Sequence, residues 1–385
     1  MVTVPLTPAG RAALLGAVTL CVAGQGLGYP AAFGIGVAGL VLVLGAGLTV
    51  AVKPKLALSR TFEPDRVSVG EPAAGLLHAH NKGRRAVAGL VVVDRVGDEP
   101  VEVPLAAIQA SGWRTAAYSI PTQRRGRLNL GPLTVERRDA FGFFRRSQPM
   151  GEAGTLWVHP RVHEVQPMPV GSVPDFEGRA EASKAGTTSF SSLREYVPGD
   201  DPRRIHWRST ARTGQLVVRE SVDTMEPTVT VVLDARPSAF GADLFEEAVE
   251  VAATVVVSTV EGGRPARLTI LGEDEAAVAA EGATTPLDRL AAARQCADST
   301  PTALLSSVDV AEPGGALVVI TGADEPGVVA RLAEQRRRFT PVVVVTMSAT
   351  SSATHRSQGV VVLGARTGAE AAGSWNHLVL GGAVS

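Results

Sequence analysis

From Ala12 to Val52 the chain carries no charged side chain, and this stretch constrains the fold more than any other feature. At about 1.5 Å rise per residue it would form a single helix roughly 60 Å long, about twice the thickness of a bilayer core. It must therefore fold back on itself. Gly26-Leu27-Gly28-Tyr29-Pro30 supplies the break: the glycines relax the backbone, Pro30 lacks an amide donor, and Tyr29 suits a membrane interface. Spans are predicted near 12–28 and 31–52, so that residues 1–53 form a two-helix transmembrane hairpin. Arg11 precedes the first span, Lys53, Lys55 and Arg60 follow the second, and the connecting turn is uncharged. The positive-inside rule then puts both termini in the cytosol. The expected location is the cell membrane, multi-pass, with the soluble domains facing the cytoplasm. A cleaved signal peptide would have one short apolar core, and a hairpin buried in a soluble domain would keep a polar face. Neither describes this stretch.

The 385 residues allow two or three domains. With 37 basic and 38 acidic side chains the formal net charge is -1, which gives no bulk attraction to nucleic acid. The two cysteines, Cys21 and Cys296, are far apart and in different environments, so no disulfide framework is expected. Residues 56–165 read as short strands at Leu76–His80, Leu90–Asp94, Trp113–Ile120, Arg127–Leu130, Leu133–Glu136 and Thr155–His159, with Asn81-Lys82-Gly83 as the turn between the first two. This spacing predicts an all-β, sandwich-like domain. Residues 166–188, rich in Pro, Gly, Ser and Glu, read as a linker or exposed loop. Beyond a polar segment at 189–220, residues 226–385 alternate between Val- and Leu-rich strands and helices. Such alternation predicts a doubly wound α/β domain with a parallel sheet covered on both faces.

The polar segment is the most informative. It contains Arg194-Glu195-Tyr196, Gly199-Asp200-Asp201-Pro202-Arg203-Arg204, and then Ile205-His206-Trp207-Arg208 through Arg212 and Gly214. Asp201 before Pro202 is a good helix start and Gly214 a good stop. On such a helix Arg204, Arg208 and Arg212 share a face. Three readings stand together: a charged clasp between domains, a docking surface built from Arg, Trp and Tyr, or a phosphate contact through the arginines and Trp207. Glu195, Asp200 and Asp201 oppose the third. His206 has no ligand set beside it and reads as an ordinary surface or core residue.

This segment closely resembles the signature of the domain of unknown function 58 family. Arg124-Arg125-Gly126, Gly131-Pro132 and Asp139-Ala140-Phe141-Gly142 extend the resemblance. The resemblance implies two N-terminal spans, a β-rich region and a C-terminal fold related to von Willebrand factor type A domains. It also implies a working association with MoxR-type AAA+ ATPases, which act as chaperones in assembling or maturing other proteins. Domains of that type often hold a divalent ion such as Mg²⁺ on hard oxygen ligands at the C-terminal ends of their strands. Here Asp234 and Ser238 match the first ligand loop, but Arg236 stands where a serine is expected. Thr284 or Thr285 is the candidate from a second loop. In the third, Gly322 replaces the expected aspartate and Asp324 comes two residues late. A guanidinium paired with Asp234 would fill the space of an ion, so the site reads as degenerate and no cofactor is expected.

No nucleophile with a nearby base, phosphate-binding glycine loop or His/Cys metal spacing is seen. The expectation is a non-catalytic, membrane-anchored adaptor with a cytosolic protein partner and no nucleic acid. The alternative is a metal-dependent binding domain using Asp234, Ser238, Thr285 and Asp324.

Overall fold

The computed structural model describes residues 6–51, 53–169, 189–197, 205–222, 227–280, 282–296, 300–322, 326–349 and 353–380. The chain divides into two compact units, 1–159 and 160–385.

The first unit begins with helices α1 (Pro8–Leu27) and α2 (Pro30–Ala51). Thr7 caps α1 by accepting the Gly10 N–H at 3.1 Å. Gly28 ends that helix in the left-handed conformation at φ 71°, which glycine adopts without a Cβ penalty. The two helices pack through glycine. A Cβ on Gly36 would lie 2.6 Å from the backbone nitrogen of Cys21, and one on Gly24 would collide with the backbone of Phe33. Both helices are long and apolar enough to cross a membrane, and Leu15, Val22, Leu44 and Leu48 stand exposed on them.

Ten strands follow: β1 (Leu56–Phe62), β2 (Arg66–Ser68), β3 (Ala73–Asn81), β4 (Leu90–Val96), β5 (Glu99–Leu105), β6 (Trp113–Ile120), β7 (Gly126–Leu130), β8 (Thr134–Arg138), β9 (Arg145–Pro149) and β10 (Gly154–His159). One sheet has the order β1-β3-β6; the other runs β2-β10-β7-β4-β8-β9, with β5 paired to β4. Leu77, Ala79 and Ile120 of the first sheet share one apolar core with Leu90, Val92, Leu130 and Leu156 of the second. Strands β3 and β4 lie in different sheets. Asn81 does make a turn, accepting the Gly83 N–H at 2.9 Å and donating to the carbonyls of Arg85, Ile108 and Gln109. That turn carries the chain from one sheet to the other. Strand β4 instead pairs with β5 across Gly97-Asp98. Prolines 100 and 104 hide β5 from a pattern reading, and an edge strand tolerates them.

In the second unit β11 (Ser189–Glu195) and β12 (Val217–Val222) form an antiparallel ribbon, with helix α3 (Trp207–Thr213) between them in sequence. The main sheet has the order β14 (Ala266–Ile270), β13 (Val229–Leu233), β15 (Ala316–Thr321), β16 (Val342–Met347), β18 (Val360–Ala365), β17 (Thr354–Ser357). All its pairings are parallel except β17 with β18. Every residue of β13, β15, β16 and β18 is buried, as continuous Val and Leu strands under helices should be. Helices α4 (Ala242–Glu261), α5 (Glu275–Ala280), α6 (Pro286–Ala292), α7 (Pro301–Val310), α8 (Pro326–Glu334) and α9 (Gly368–Leu380) complete the unit.

The first residues of the expected linker pack onto this core. Met168 is buried in it, and the Trp375 indole donates to the Gln166 carbonyl at 3.0 Å. Residues 170–188 of that stretch lie outside the described residues.

Candidate functional site

Two places collect the residues singled out in the sequence. The first is the signature ribbon. Helix α3 begins at Trp207, later than its expected start at Pro202, because Ile205 bridges to Val218 and the His206 N–H donates to the Val217 carbonyl at 2.8 Å. His206 is the cap: its Nδ1 accepts the Ser209 N–H at 3.3 Å and lies 2.7 Å from Ser209 Oγ. That capping role fits the expectation of an ordinary, satisfied residue with no ligand set beside it. Gly214 closes the helix at φ 73° with its N–H on the Thr210 carbonyl, as expected. Thr210 Oγ1 also accepts the Val217 N–H at 3.1 Å, tying the helix to β12. The four-residue arginine spacing therefore applies on α3 only to Arg208 and Arg212.

Both arginines are exposed, as is Glu195, while Tyr196 is half-buried. Trp207 is 66% exposed, with Val197 and Leu216 also open. Gly199, Asp200, Asp201, Arg203 and Arg204 lie outside the described residues, as does the Arg194 side chain.

The second place is the C-terminal edge of the main sheet, directly after β13 and β15. Asp234 is fully buried. Its carboxylate accepts from Arg236 Nε at 3.0 and 3.1 Å, from Arg236 Nη2 at 2.8 Å and from Thr321 Oγ1 at 2.8 Å. The Arg236 guanidinium is itself buried, at 1% exposure, and thus takes the position beside Asp234 that an ion would need. Ser238 is exposed on the following loop. Thr285 is committed elsewhere: it caps α6 in a reciprocal box with Asp288. Thr284 also donates to Asp288, at 3.3 Å. Asp324 lies outside the described residues. Among those described, no group of three His, Cys, Asp or Glu side chains could hold a metal ion. The donor set at Asp234 does not fit a divalent cation, since a cation already saturates it.

Sequence reading missed a polar cluster in the β unit. Arg60 on β1 donates through Nη1 to both oxygens of Asp94 on β4, at 2.8 and 2.9 Å, and through Nη2 to the Leu130 carbonyl at 3.1 Å. The Tyr118 hydroxyl on β6 donates to Asp94. Burial, then the hydrogen bond to Asp94 and its negative charge, push the Tyr118 phenol well above its ordinary value. Gly75, paired with Tyr118 across β3 and β6, makes room for the ring, which a Cβ there would strike. The signal was present: Leu90, Val92, Asp94 and Val96 alternate inward along β4, so Asp94 sits at a core register.

Among proteins of known sequence, the chain is 24% identical over 163 residues to the uncharacterized protein YeaD of Bacillus subtilis, covering 42% of this chain and 40% of that one. It thus spans less than half the length of that relative. Among solved structures, the CARDB domain of PF1109 from Pyrococcus furiosus superposes with 27% of this chain and 94% of its own, at 13% identity and a TM-score of 0.21. Red sea bream transglutaminase covers 27% of this chain and 15% of its own, at 19% identity and a TM-score of 0.21. Superpositions that low carry no weight. The match that bears on identity is in sequence: residues 192–351, from the signature ribbon into the α/β sheet, match the model of the family described as "Protein of unknown function DUF58", the family this segment resembles.

Proposed function

We propose that this protein is a non-catalytic, membrane-anchored adaptor whose signature ribbon docks a cytosolic protein partner. The observation that carries the reading is Trp207, two-thirds exposed on a helix held at both ends that also carries the exposed Arg208 and Arg212. Trp and Arg are the residues that most often dominate binding energy at protein interfaces, and a helix tied to a ribbon presents them at little ordering cost. Charge argues for a protein partner over nucleic acid, with a net charge of -1 and an acidic Glu195 on the same ribbon. By the family resemblance, the partner is an AAA+ ATPase of the MoxR type, and the α/β unit is a doubly wound domain of the von Willebrand factor type A kind.

Helices α1 and α2 cross the bilayer, with Arg11, Lys53 and Lys55 on the cytosolic side, where the soluble units also lie. The alternative, a Mg²⁺-dependent binding domain, requires Arg236 to leave Asp234, and the bidentate geometry opposes that.

The test is purification of the tagged full chain from its native membrane in mild detergent, with ATP or a slowly hydrolysed analogue present. Recovery of an AAA+ ATPase with the wild type and its loss with Arg208→Glu would support the reading. Equal recovery from both, or none from either, would sink it.

A further inference from the structure

The turn between β8 and β9 is built to meet the helical hairpin. Asp139 organises it: Oδ1 accepts the Phe141 N–H at 2.9 Å, Oδ2 the Phe144 N–H at 2.6 Å, and its carbonyl the Gly142 N–H at 3.1 Å. Gly142, at φ 71°, completes the bend. The inner side of the turn is fastened to both helices. Thr7 at the start of α1 donates its N–H to the Phe143 carbonyl at 2.9 Å and its hydroxyl to the Gly142 carbonyl at 2.6 Å. The Phe144 ring lies over Gly47 of α2, so close that a Cβ there would be 3.1 Å away. Just beyond the turn, the buried Arg146 donates to the Ala51 carbonyl at 2.7 Å. A cation at a helix C-terminus is favourable both as a donor and against the helix dipole.

The outer side is open. Phe141 is 58% exposed at the tip and stacks on Phe143 with ring centroids 5.6 Å apart. Its level relative to the apolar spans follows from helix rise. Gly47 precedes Lys53, the first charge after α2, by six residues, which is about 9 Å along the axis. Gly10, whose Cβ would strike the Phe143 carbonyl oxygen, lies just before Arg11. The turn therefore sits where the charge-free surface of the hairpin gives way to Arg11, Lys53 and Lys55.

We propose that the 139–144 turn is a third membrane contact, with the Phe141 ring seated in the interfacial layer of an anionic bilayer beside those three cations. The inference rests on the reading that α1 and α2 span the membrane. Two observations select lipid as the occupant: the exposed aromatic tip stands at the level where the hairpin's exposed apolar surface ends, and Arg11, Lys53 and Lys55 at that level match anionic headgroups. Aromatic side chains at this depth hold an element against the membrane plane.

The test uses the full chain carrying Cys21→Ala and Cys296→Ala, reconstituted into phosphatidylcholine/phosphatidylglycerol vesicles. A bimane fluorophore is placed on a single cysteine at Phe141, at the exposed neighbour Ala140, or at exposed Leu44 in the C-terminal half of α2, nine residues before Lys53. Lipids brominated near the headgroup should quench the label at 141, and at 140, about twofold more than lipids brominated at the chain ends, for a ring roughly 5–10 Å below the headgroup boundary. The Leu44 label should show the opposite preference. Loss of quenching at Leu44 would overturn the spanning reading itself. Quenching at Leu44 with none at 140 or 141 would leave the spans standing and overturn the third contact. The Ala140 label keeps Phe141 intact, so disturbance by the label at 141 cannot decide the outcome.

Discussion

In the β unit a buried arginine reaches its aspartate across 34 residues of sequence and from one sheet to the other; in the α/β unit it reaches back two. Arg60–Asp94 and Arg236–Asp234 look alike as pairs, both buried and each engaging both carboxylate oxygens, the first through one guanidinium nitrogen and the second through two. They differ in what they hold. The first joins β1 of one sheet to β4 of the other through the middle of their shared apolar core. The second consolidates a loop at the edge of a sheet whose strands β13, β15, β16 and β18 are buried on every residue. A buried charge pair that ties two sheets together carries more of the fold than one that closes a loop on itself.

The largest expected effect follows from breaking the first pair alone. Arg60→Leu leaves Asp94 buried without its cation, with the Tyr118 hydroxyl still donating to it, a loss of about 3–5 kcal/mol. Thermal melting of the full chain in detergent should show a steep fall in midpoint, partly restored by adding Asp94→Leu. An equal fall for Arg236→Leu would erase the contrast, because Asp234 there still accepts from Thr321 and from the Arg236 backbone N–H.

Next in size is Gly75→Ala. The new methyl meets the Tyr118 ring, and displacing that ring costs about 1–3 kcal/mol. The variant should lose the near-ultraviolet signature of a fixed tyrosine before it loses secondary structure.

Alkali sharpens the comparison further. Folding raises the phenol's affinity for its proton from an ordinary value of 10.0. The stability this contributes is fully present below pH 10 and is lost as pH rises through the folded value, by up to about 1.4 kcal/mol per pH unit. Denaturant midpoints should decline above pH 10 in the wild type and less steeply in Tyr118→Phe; parallel curves would contradict the assignment.

The smallest effect on stability is expected at the ribbon. Trp207→Ala removes an exposed ring and should change stability by no more than about 0.5 kcal/mol, while weakening recovery of the partner. A large fall in melting temperature would instead make the ribbon a clasp.

The parallel strands β13, β15 and β16 were readable as continuous Val and Leu runs because burial on both faces leaves no polar positions to confuse the pattern. Strand β1 was not, since Arg60 interrupts Leu56-Ala57-Leu58, and its partner Asp94 is distant in sequence. Helix α5 is six residues long and apolar at all but Glu275, so no alternation of faces announces it, and none of its residues is buried. In the candidate site, Gly214 was legible from its conformational role. The capping by His206 and the late start of α3 were not, because both depend on pairing to β12, which a local pattern does not carry. Arg236 was legible as an intruder beside Asp234, and its geometry turns that irregularity into a closed pair.

The fastening of Ala51 and Thr7 to the β8–β9 turn has a mechanical consequence. Lys55 also bonds through its carbonyl to the Lys82 N–H at 2.7 Å, so the β unit holds the chain on either side of the end of α2. Where the hairpin spans a bilayer, the β unit is a stalk and not a body on a leash. Torque applied to it passes straight into the two helices.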